Sequence, residues 1–222
     1  METLSTCRDH DIATVTLATP VLSRQALVEL GETFDALAAK IPAPAAVLAS
    51  AHPTIYLAGA HLSEISELDA DSCVAYARIG RALADRIREH PAPVVAAVHG
   101  SCSGGGFDLV MACDAIVASP AATFSHPGVR RGLVTGWGGT RRLAGRLGPG
   151  VMRRVFLEGR ALDAAAMAAL GAVREIADDP APAARSAARE LASLHPSRLS
   201  AWRLLRGPGF VDRFRAFVVK KS

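Results

Sequence analysis

Three consecutive glycines, preceded by an apolar run and followed by residues typical of a helix, form the part of the chain best suited to chemistry. They lie in PVVAAVHGSCSGGGFDLVMACDAIVAS, residues 93–119. Glycine permits backbone angles closed to other residues and lets a ligand approach the main chain. The first N–H groups of a helix have no partner within it, so this segment suits an anion or a developing oxyanion. It is neither a P-loop, because no Lys-Ser/Thr pair follows the glycines, nor a GxGxxG dinucleotide motif.

A second segment of the same kind, IYLAGAHLSEI, occupies residues 55–65 and combines a short apolar run, a turn of small residues and a helix-like stretch. Taken alone, the glycines at 104–106 are explained equally well by a tight joint between a strand and a helix. Two such turns, however, could each direct one backbone N–H toward a single carbonyl oxygen. The presence of both turns therefore favours oxyanion stabilisation.

The elements that must hold these turns alternate between strands and helices, which indicates an α/β domain. A serine at position 23 predicts the cap of a helix with apolar residues at steps of three and four, and two further helices are predicted at 71–90 and 107–113. The run VVAAV is expected to form a strand that is covered on both faces. The strands are predicted at residues 12–18, 45–50, 94–98 and 115–118.

The chain divides into a core, residues 1–178, and a C-terminal helical segment, residues 179–222, in which four prolines separate short helices. The segment is Arg/Ala-rich and is expected to be an appendage to the core. These boundaries describe one α/β domain with a helical extension.

Composition and charge restrict the function classes. The chain has 222 residues, 50% apolar and 21% charged, so it can bury a large core. The net charge of +4 comes with arginines scattered among acids and with only two Trp and two Tyr, which disfavours nucleic-acid binding. Four cysteines without metal-ligand spacing predict no metal site. The charged start and the absence of an apolar run near the ~18 residues of a membrane span predict a cytoplasmic protein with no membrane partner.

The ordered series of segments resembles the enoyl-CoA hydratase/isomerase, or crotonase, superfamily. Residues 93–119 are similar throughout to its PVIAAVxGxxxGGGxELAxxCD signature, and YLAGAHLSE resembles its AGAD-type turn. The blocks TVTLATP, ATFSHPGVRRGLVTGWGGTRRLAGRLG and LEGRALDAAAMAALGAVREI match further blocks of the family in the same order. The resemblance covers roughly residues 12–176.

The resemblance implies an α/β crotonase fold, in which repeated ββα units form two roughly perpendicular sheets, and a homotrimer or hexamer. It implies as substrate an acyl thioester of coenzyme A, or of the phosphopantetheine arm of an acyl carrier protein, with no separate cofactor. The implied oxyanion donors are the backbone N–H groups of Ala60 and Gly105. The residues expected to bind the substrate are Ala58, His61, Leu62, Gly104, His126, Gly128 and Trp137.

Hydratases of this family place two glutamates around a water, and this chain departs from the pattern at both positions. Asp108 occupies the first position with a side chain one methylene shorter, which sets the carboxylate roughly 1 Å farther back. Gly128 occupies the second position and offers no proton. An isomerase that depends on the second glutamate is therefore disfavoured.

Three hypotheses remain for the activity. In the first, which we favour, Asp108 is the single acid/base of an enoyl-CoA hydratase- or dehydratase-type lyase. In the second, the oxyanion hole alone stabilises an enolate formed when a malonyl-type thioester loses CO₂. In the third, the fold binds an acyl thioester or a partner subunit without catalysis.

Four side chains near these turns carry open alternatives. His61 replaces the aspartate usual after AGA and is either a proton carrier or a solvated loop histidine. His126 lies two residues before the lost glutamate and could reach the same space. Trp137 either lines the acyl pocket or fills the core. Cys102 adjoins the glycine turn, but no paired base that would activate its thiol is evident.

The C-terminal helical region is shortened relative to the family. Its end, GFVDRFRAFVVKKS, is faintly similar to the family's closing pattern, which often supplies basic contacts to the phosphates of CoA. The resemblance therefore gives Arg213, Arg215, Lys220 and Lys221 as candidates for phosphate contacts, with a solvated basic terminus as the alternative.

Overall fold

The computed structural model describes residues 3–206, which form strands and helices around three sheets. The strands in this range are β1 (Leu4–Asp9), β2 (Ile12–Leu17), β3 (Val21–Leu22), β4 (Ala45–Ser50), β5 (Ile55–Leu57), β6 (Gly59–Ala60), β7 (Val94–Val98), β8 (Ser101–Ser103), β9 (Ala115–Ala118), β10 (Thr123–Ser125), β11 (Leu162–Asp163) and β12 (Glu175–Ile176). The α-helices are α1 (Arg24–Ala38), α2 (Leu62–Ser66), α3 (Ala70–Glu89), α4 (Gly105–Val110), α5 (Gly139–Leu147), α6 (Pro149–Phe156), α7 (Ala164–Ala169), α8 (Pro180–Ser193) and α9 (Pro196–Arg206). A 3-10 helix, Pro127–Arg131, precedes α5.

The larger sheet has six strands in the order β1-β2-β4-β7-β9-β12. Strand β1 pairs antiparallel with β2, and the remaining pairs are parallel. Side chains of β7 alternate between two apolar clusters, with Val94, Ala96 and Val98 on one face and Val95 and Ala97 on the other. Both faces of β7 are covered, as the run VVAAV predicts.

The chain repeats a ββα arrangement. In three consecutive units the first strand, β4, β7 or β9, joins the larger sheet, and the second, β5, β8 or β10, joins a four-stranded sheet of order β11-β10-β8-β5. A helical segment follows each pair of strands. The second strand of each unit therefore carries the chain out of the larger sheet, and β8 ends directly at the glycines.

Helix α8 forms a layer of the core. Its buried residues Ala184, Ala187 and Ala188 pack in the cluster formed by the second face of the larger sheet. The boundary predicted at 178/179 falls just before this helix, but α8 covers the sheet and is not an appendage. Two prolines lie in its first turn, where the helix tolerates them because the backbone N–H groups there need no intrahelical acceptor.

The helix after the glycines begins earlier than the sequence pattern predicts. Gly104 adopts φ 55° and ends the extended chain, so α4 starts at Gly105 and not at 107. The Asp108 N–H donates to the Gly104 carbonyl at 3.2 Å and closes the first helical turn. By contrast, the predicted cap of α1 is confirmed, because the Ser23 side chain accepts from the Ala26 N–H.

No helix within residues 3–206 combines the length and the apolar character that crossing a membrane requires.

Candidate active site

A cavity of about 560 Å³ lies among α2, α3, α4 and the segment from β10 to α5. Of the ten residues predicted to form the catalytic and substrate-binding site, His61 does not line it. The backbone N–H of His61 donates to the Leu22 carbonyl at 3.3 Å, and its buried Nδ1 has no hydrogen-bond partner among the described residues. The nine predicted residues that do line the cavity are Ala58, Ala60, Leu62, Gly104, Gly105, Asp108, His126, Gly128 and Trp137.

The two small-residue turns contact each other through their backbones. A Cβ atom built on Gly59 would lie 2.6 Å from the Gly105 nitrogen and 3.0 Å from the Ser103 carbonyl oxygen. Gly59 also has φ 87°, a left-handed conformation that favours glycine. Only a residue without a side chain therefore lets the turn before Ala60 approach the turn before α4 this closely.

Each of the two turns has one backbone N–H group that takes no part in the hydrogen bonds of the neighbouring strand or helix. Leu22 of β3 lies opposite Ala60 in a parallel ladder, and its carbonyl accepts from the N–H of the next residue, His61. Because successive N–H groups of a strand point to opposite sides, the Ala60 N–H is directed away from β3. Gly105 is the first residue of α4, and its N–H has no acceptor within the helix. Both residues line the cavity. This arrangement can present two N–H donors to one oxygen atom.

Asp108 is enclosed by hydrogen-bond donors. His126 Nε2 lies 2.9 Å from Asp108 Oδ1, and Thr135 Oγ1 donates to Oδ2. Because a carboxylate only accepts hydrogen bonds, Nε2 carries the hydrogen of the first contact. Gly139 adjoins the carboxylate, since a Cβ atom there would lie 1.7 Å from Oδ1. The carboxylate predicted from the sequence is therefore held on three sides.

The imidazole of His126 is fixed by two aromatic rings. It stacks on Phe156, with ring centroids 4.9 Å apart, and lies 5.7 Å from the ring of Phe107. The residue is buried and still lines the cavity. The His126 ring therefore lies between Asp108 and the cavity.

Trp137 fills the core and lines the cavity, so the two alternatives for this residue hold together. Cβ atoms built on Gly80 and Gly105 would lie 2.4 and 2.0 Å from its ring atoms, which places the indole between α3 and the start of α4. The ring centroid of Tyr76 lies 6.3 Å from that of Trp137. The indole therefore backs the turn that carries the Gly105 N–H.

Cys102 is fully buried and is not among the residues that line the cavity. Burial raises the pKa of its thiol well above the ordinary value, and the nearby Cys113 and Asp108 charges raise the pKa further. A thiolate nucleophile at this position is therefore disfavoured.

Several cavity residues escaped prediction from the sequence. Thr135 lies inside the TGWGGT block, where no spacing rule distinguishes a threonine that faces a carboxylate. Arg130 and Arg131 line the cavity from the 3-10 helix, and the only sequence signal for them is their position two and three residues past Gly128. The predicted phosphate contacts Arg213, Arg215, Lys220 and Lys221 lie outside the described residues. Within residues 3–206 no group of three or more His, Cys, Asp or Glu side chains is arranged to hold a metal ion.

Both tyrosines of the chain are expected to resist ionisation while the protein is folded. Burial raises the pKa of Tyr76 to about 12, with a contribution from the Glu64 charge, and burial raises that of Tyr56 well above its usual range. The unfolded chain ionises its tyrosines near pH ~10, so the folded state binds more protons above that pH. Stability should therefore fall as pH rises from about 10 toward 12.

A titration that follows phenolate absorbance would test this expectation. The native protein should show no step near pH ~10, whereas the chain in denaturant should show both tyrosines ionising there. A native step of full amplitude near pH ~10 would contradict the burial of the two rings.

Comparisons with known proteins identify relatives of the chain. The model of the family described as enoyl-CoA hydratase/isomerase matches residues 8–202. A probable enoyl-CoA hydratase from Mycobacterium leprae is 32% identical over 161 residues, which are 70% of this chain and 61% of that protein. The alpha subunit of a fatty acid oxidation complex from Idiomarina loihiensis is 33% identical over 180 residues, 76% of this chain and 25% of that protein. The chain thus aligns with less than two thirds of either relative.

The fold has close counterparts among solved structures. The structure of DspI from Pseudomonas aeruginosa superposes with a TM-score of 0.88 at 23% identity and covers 100% of this chain and 96% of that one.

Proposed function

The chain belongs to the enoyl-CoA hydratase/isomerase family, and we propose that it is an acyl-thioester lyase of the hydratase/dehydratase type. The observation that carries this proposal is the contact of two glycine turns beside an enclosed carboxylate in one cavity. Its substrate would be an acyl thioester of coenzyme A or of a carrier protein.

The proposed reaction develops negative charge on the thioester oxygen. Water adds to the β-carbon of the enoyl group, and the electron pair of the double bond moves to form an enolate. The N–H groups of Ala60 and Gly105 stabilise that oxyanion, and one such donor contributes about 10²–10³ in rate in other enzymes. Asp108 is the one carboxylate of the acid–base machinery, because Gly128 supplies none.

The cavity beside the two turns is suited to an acyl chain. Its lining is mainly apolar away from the carboxylate, with side chains contributed by α2 and by the segment that follows the 3-10 helix. The apolar lining residues include Leu62, Ile65, Leu68, Leu133 and Val134. Burial of an acyl chain against them supplies binding free energy that does not depend on the reacting atoms.

The same proposal includes a homotrimer or hexamer, a cytoplasmic location and contacts from Arg213, Arg215 and Lys220 to the phosphates of CoA. Size measurement by light scattering would test the oligomer. Loss of affinity for acyl-CoA, but not for an acyl-pantetheine, on substitution of these residues by alanine would test the phosphate contacts.

Replacing Asp108 by alanine tests the proposed function. We expect the full chain to hydrate crotonyl-CoA, or to dehydrate members of a panel of 3-hydroxyacyl thioesters. Asp108→Ala should lower kcat/KM by at least about 10²-fold, the lower end of general acid–base catalysis. Asp178→Ala is the matched control, because Asp178 is exposed and lies outside the cavity lining.

Two other experimental results would contradict this proposal and favour a different function. Release of CO₂ from malonyl- or methylmalonyl-type thioesters that survives Asp108→Ala would favour a decarboxylase, which needs the oxyanion turns and no second carboxylate. No turnover of any thioester, with a melting temperature that rises with acyl-CoA concentration, would favour a binding protein.

A further inference from the structure

The Asp108 carboxylate has little freedom to meet a substrate directly. Its side chain has no accessible surface, and its two oxygens already accept from His126 and Thr135. Both residues line the cavity, but only the His126 side chain retains accessible surface, at 5%. The imidazole is therefore the member of this pair that is better placed to contact a bound acyl group.

We propose that His126 is the catalytic proton-transfer group and that Asp108 acts through it; this inference rests on the proposed function. The His126 side chain takes the role of the second carboxylate, which is missing because Gly128 occupies that position. Because Nε2–H donates to Asp108 Oδ1, the carboxylate stabilises the imidazolium that forms when the ring accepts a proton. The rings of Phe107 and Phe156 hold the imidazole in one orientation.

The proton count of the step balances within the His126–Asp108 pair. As the C–O bond forms at the β-carbon, an O–H bond of water breaks and its proton passes to the pair through His126. The double-bond electrons move to the thioester enolate. When the enolate collapses, the pair returns one proton to the α-carbon and ends the cycle as it began. No oxidant, reductant or further co-reactant is required.

The substitution His126→Gln separates proton transfer from positioning. The glutamine amide can still donate to Asp108 Oδ1 but cannot carry a proton between substrate atoms. We expect His126→Gln to lower kcat by about 10²-fold or more, with a small change in KM. It should also abolish exchange of the α-proton of a 3-hydroxyacyl thioester with deuterated water. A variant within about threefold of wild type in both measurements would show that His126 only positions Asp108, and would overturn the proposal.

A compensating substitution provides a second test. Gly128 is not among the positive-φ glycines, and a Cβ atom there would lie 3.3 Å from Leu133 Cβ, so the Cβ of a substituted residue needs only a small shift of Leu133. If His126 replaces the second carboxylate, adding Gly128→Glu to His126→Gln should raise kcat at least about tenfold above that of His126→Gln alone. Absence of restoration in a folded double variant would count against the proposal.

The control substitution is His99→Gln. His99 Nε2 contacts the His52 carbonyl at 2.6 Å, and the residue is outside the cavity lining, so kcat should not change. If His126→Gln does not fold, His126→Ala with added imidazole replaces it, and recovery of activity with imidazole concentration is expected. No recovery in a folded His126→Ala protein would overturn the proposal. Failure of the proposed function differs from all these outcomes, because wild type itself would then show no turnover.

Discussion

Replacing Gly59 by alanine is expected to lower kcat/KM for the acyl thioester by about 10²–10³-fold, the effect of losing one oxyanion donor. The new Cβ would lie 2.6 Å from the Gly105 nitrogen and 3.0 Å from the Ser103 oxygen. Both are backbone atoms, so neither can rotate out of the way as a flexible side chain would. The φ of 87° adds strain of its own for alanine. The two turns must therefore separate, and the Ala60 and Gly105 N–H groups can no longer meet one oxygen.

Gly145→Ala is the matched control for Gly59→Ala. Gly145 lies within α5, and a Cβ atom there would have no neighbour within 4 Å. The substitution should leave kcat/KM unchanged and raise stability by about 0.5–1 kcal/mol, because alanine loses less backbone entropy in a helix. Steady-state kinetics and thermal unfolding of both variants make the comparison. A Gly59→Ala protein with wild-type kcat/KM would show that the contact of the turns is not needed for turnover.

The same dependence on missing side chains extends through the site. Gly106 lies against Leu57, Gly105 against the Trp137 ring and Gly139 against the Asp108 carboxylate, each closer than a Cβ atom allows. These contacts join β5, α5 and the Trp137 segment to α4. The position of α4, and with it the Gly105 N–H, thus depends on close contacts at glycines that a side chain at those positions would disrupt.

The two turns could be predicted from the sequence because local patterns encode them, and the family resemblance added the carboxylate of Asp108. Three glycines between an apolar strand and a helix permit a close approach to the backbone, and the segment at 55–65 has a similar turn of small residues. Asp108 follows the glycines within one helical turn, so its proximity to Gly105 is a matter of helix geometry. The alternation of strands and helices follows from local patterns, whereas the ββα order was implied by the family resemblance.

The contacts between distant segments could not be predicted in this way. Asp108 and His126 are 18 positions apart, and Asp108 and Thr135 are 27 apart, so their hydrogen bonds depend on how α4 and the segment before α5 pack. No periodicity encodes that packing. His61 shows the converse, because its position next to the AGA turn suggested a place in the site. The pairing of β6 with β3 uses its backbone, and its side chain does not line the cavity.

A second large effect is expected at Asp114, which follows α4 and joins the start of β7 to α9. Its carboxylate accepts from the Val94 N–H at 2.9 Å and from Arg203 Nε and Nη2 at 2.9 and 2.6 Å. Arg203 also donates to the carbonyls of His90 and Ala92 before β7. The Asp114 and Arg203 side chains are 1% and 13% exposed, so water cannot replace the lost partner well. Asp114→Asn should therefore lower the free energy of unfolding by about 3–5 kcal/mol.

An exposed ion pair with the same N–O distance serves as the control that shows how much of the stability loss comes from burial. Arg189 Nη2 lies 2.6 Å from Asp9 Oδ2, but these side chains are 44% and 55% exposed. Asp9→Asn should therefore change stability by about 0–1 kcal/mol. Denaturant unfolding of the two variants at one salt concentration measures the difference. Equal losses would mean that the distance alone decides the effect, whereas a large loss confined to Asp114→Asn would show that the enclosed contact holds α9 to the start of β7.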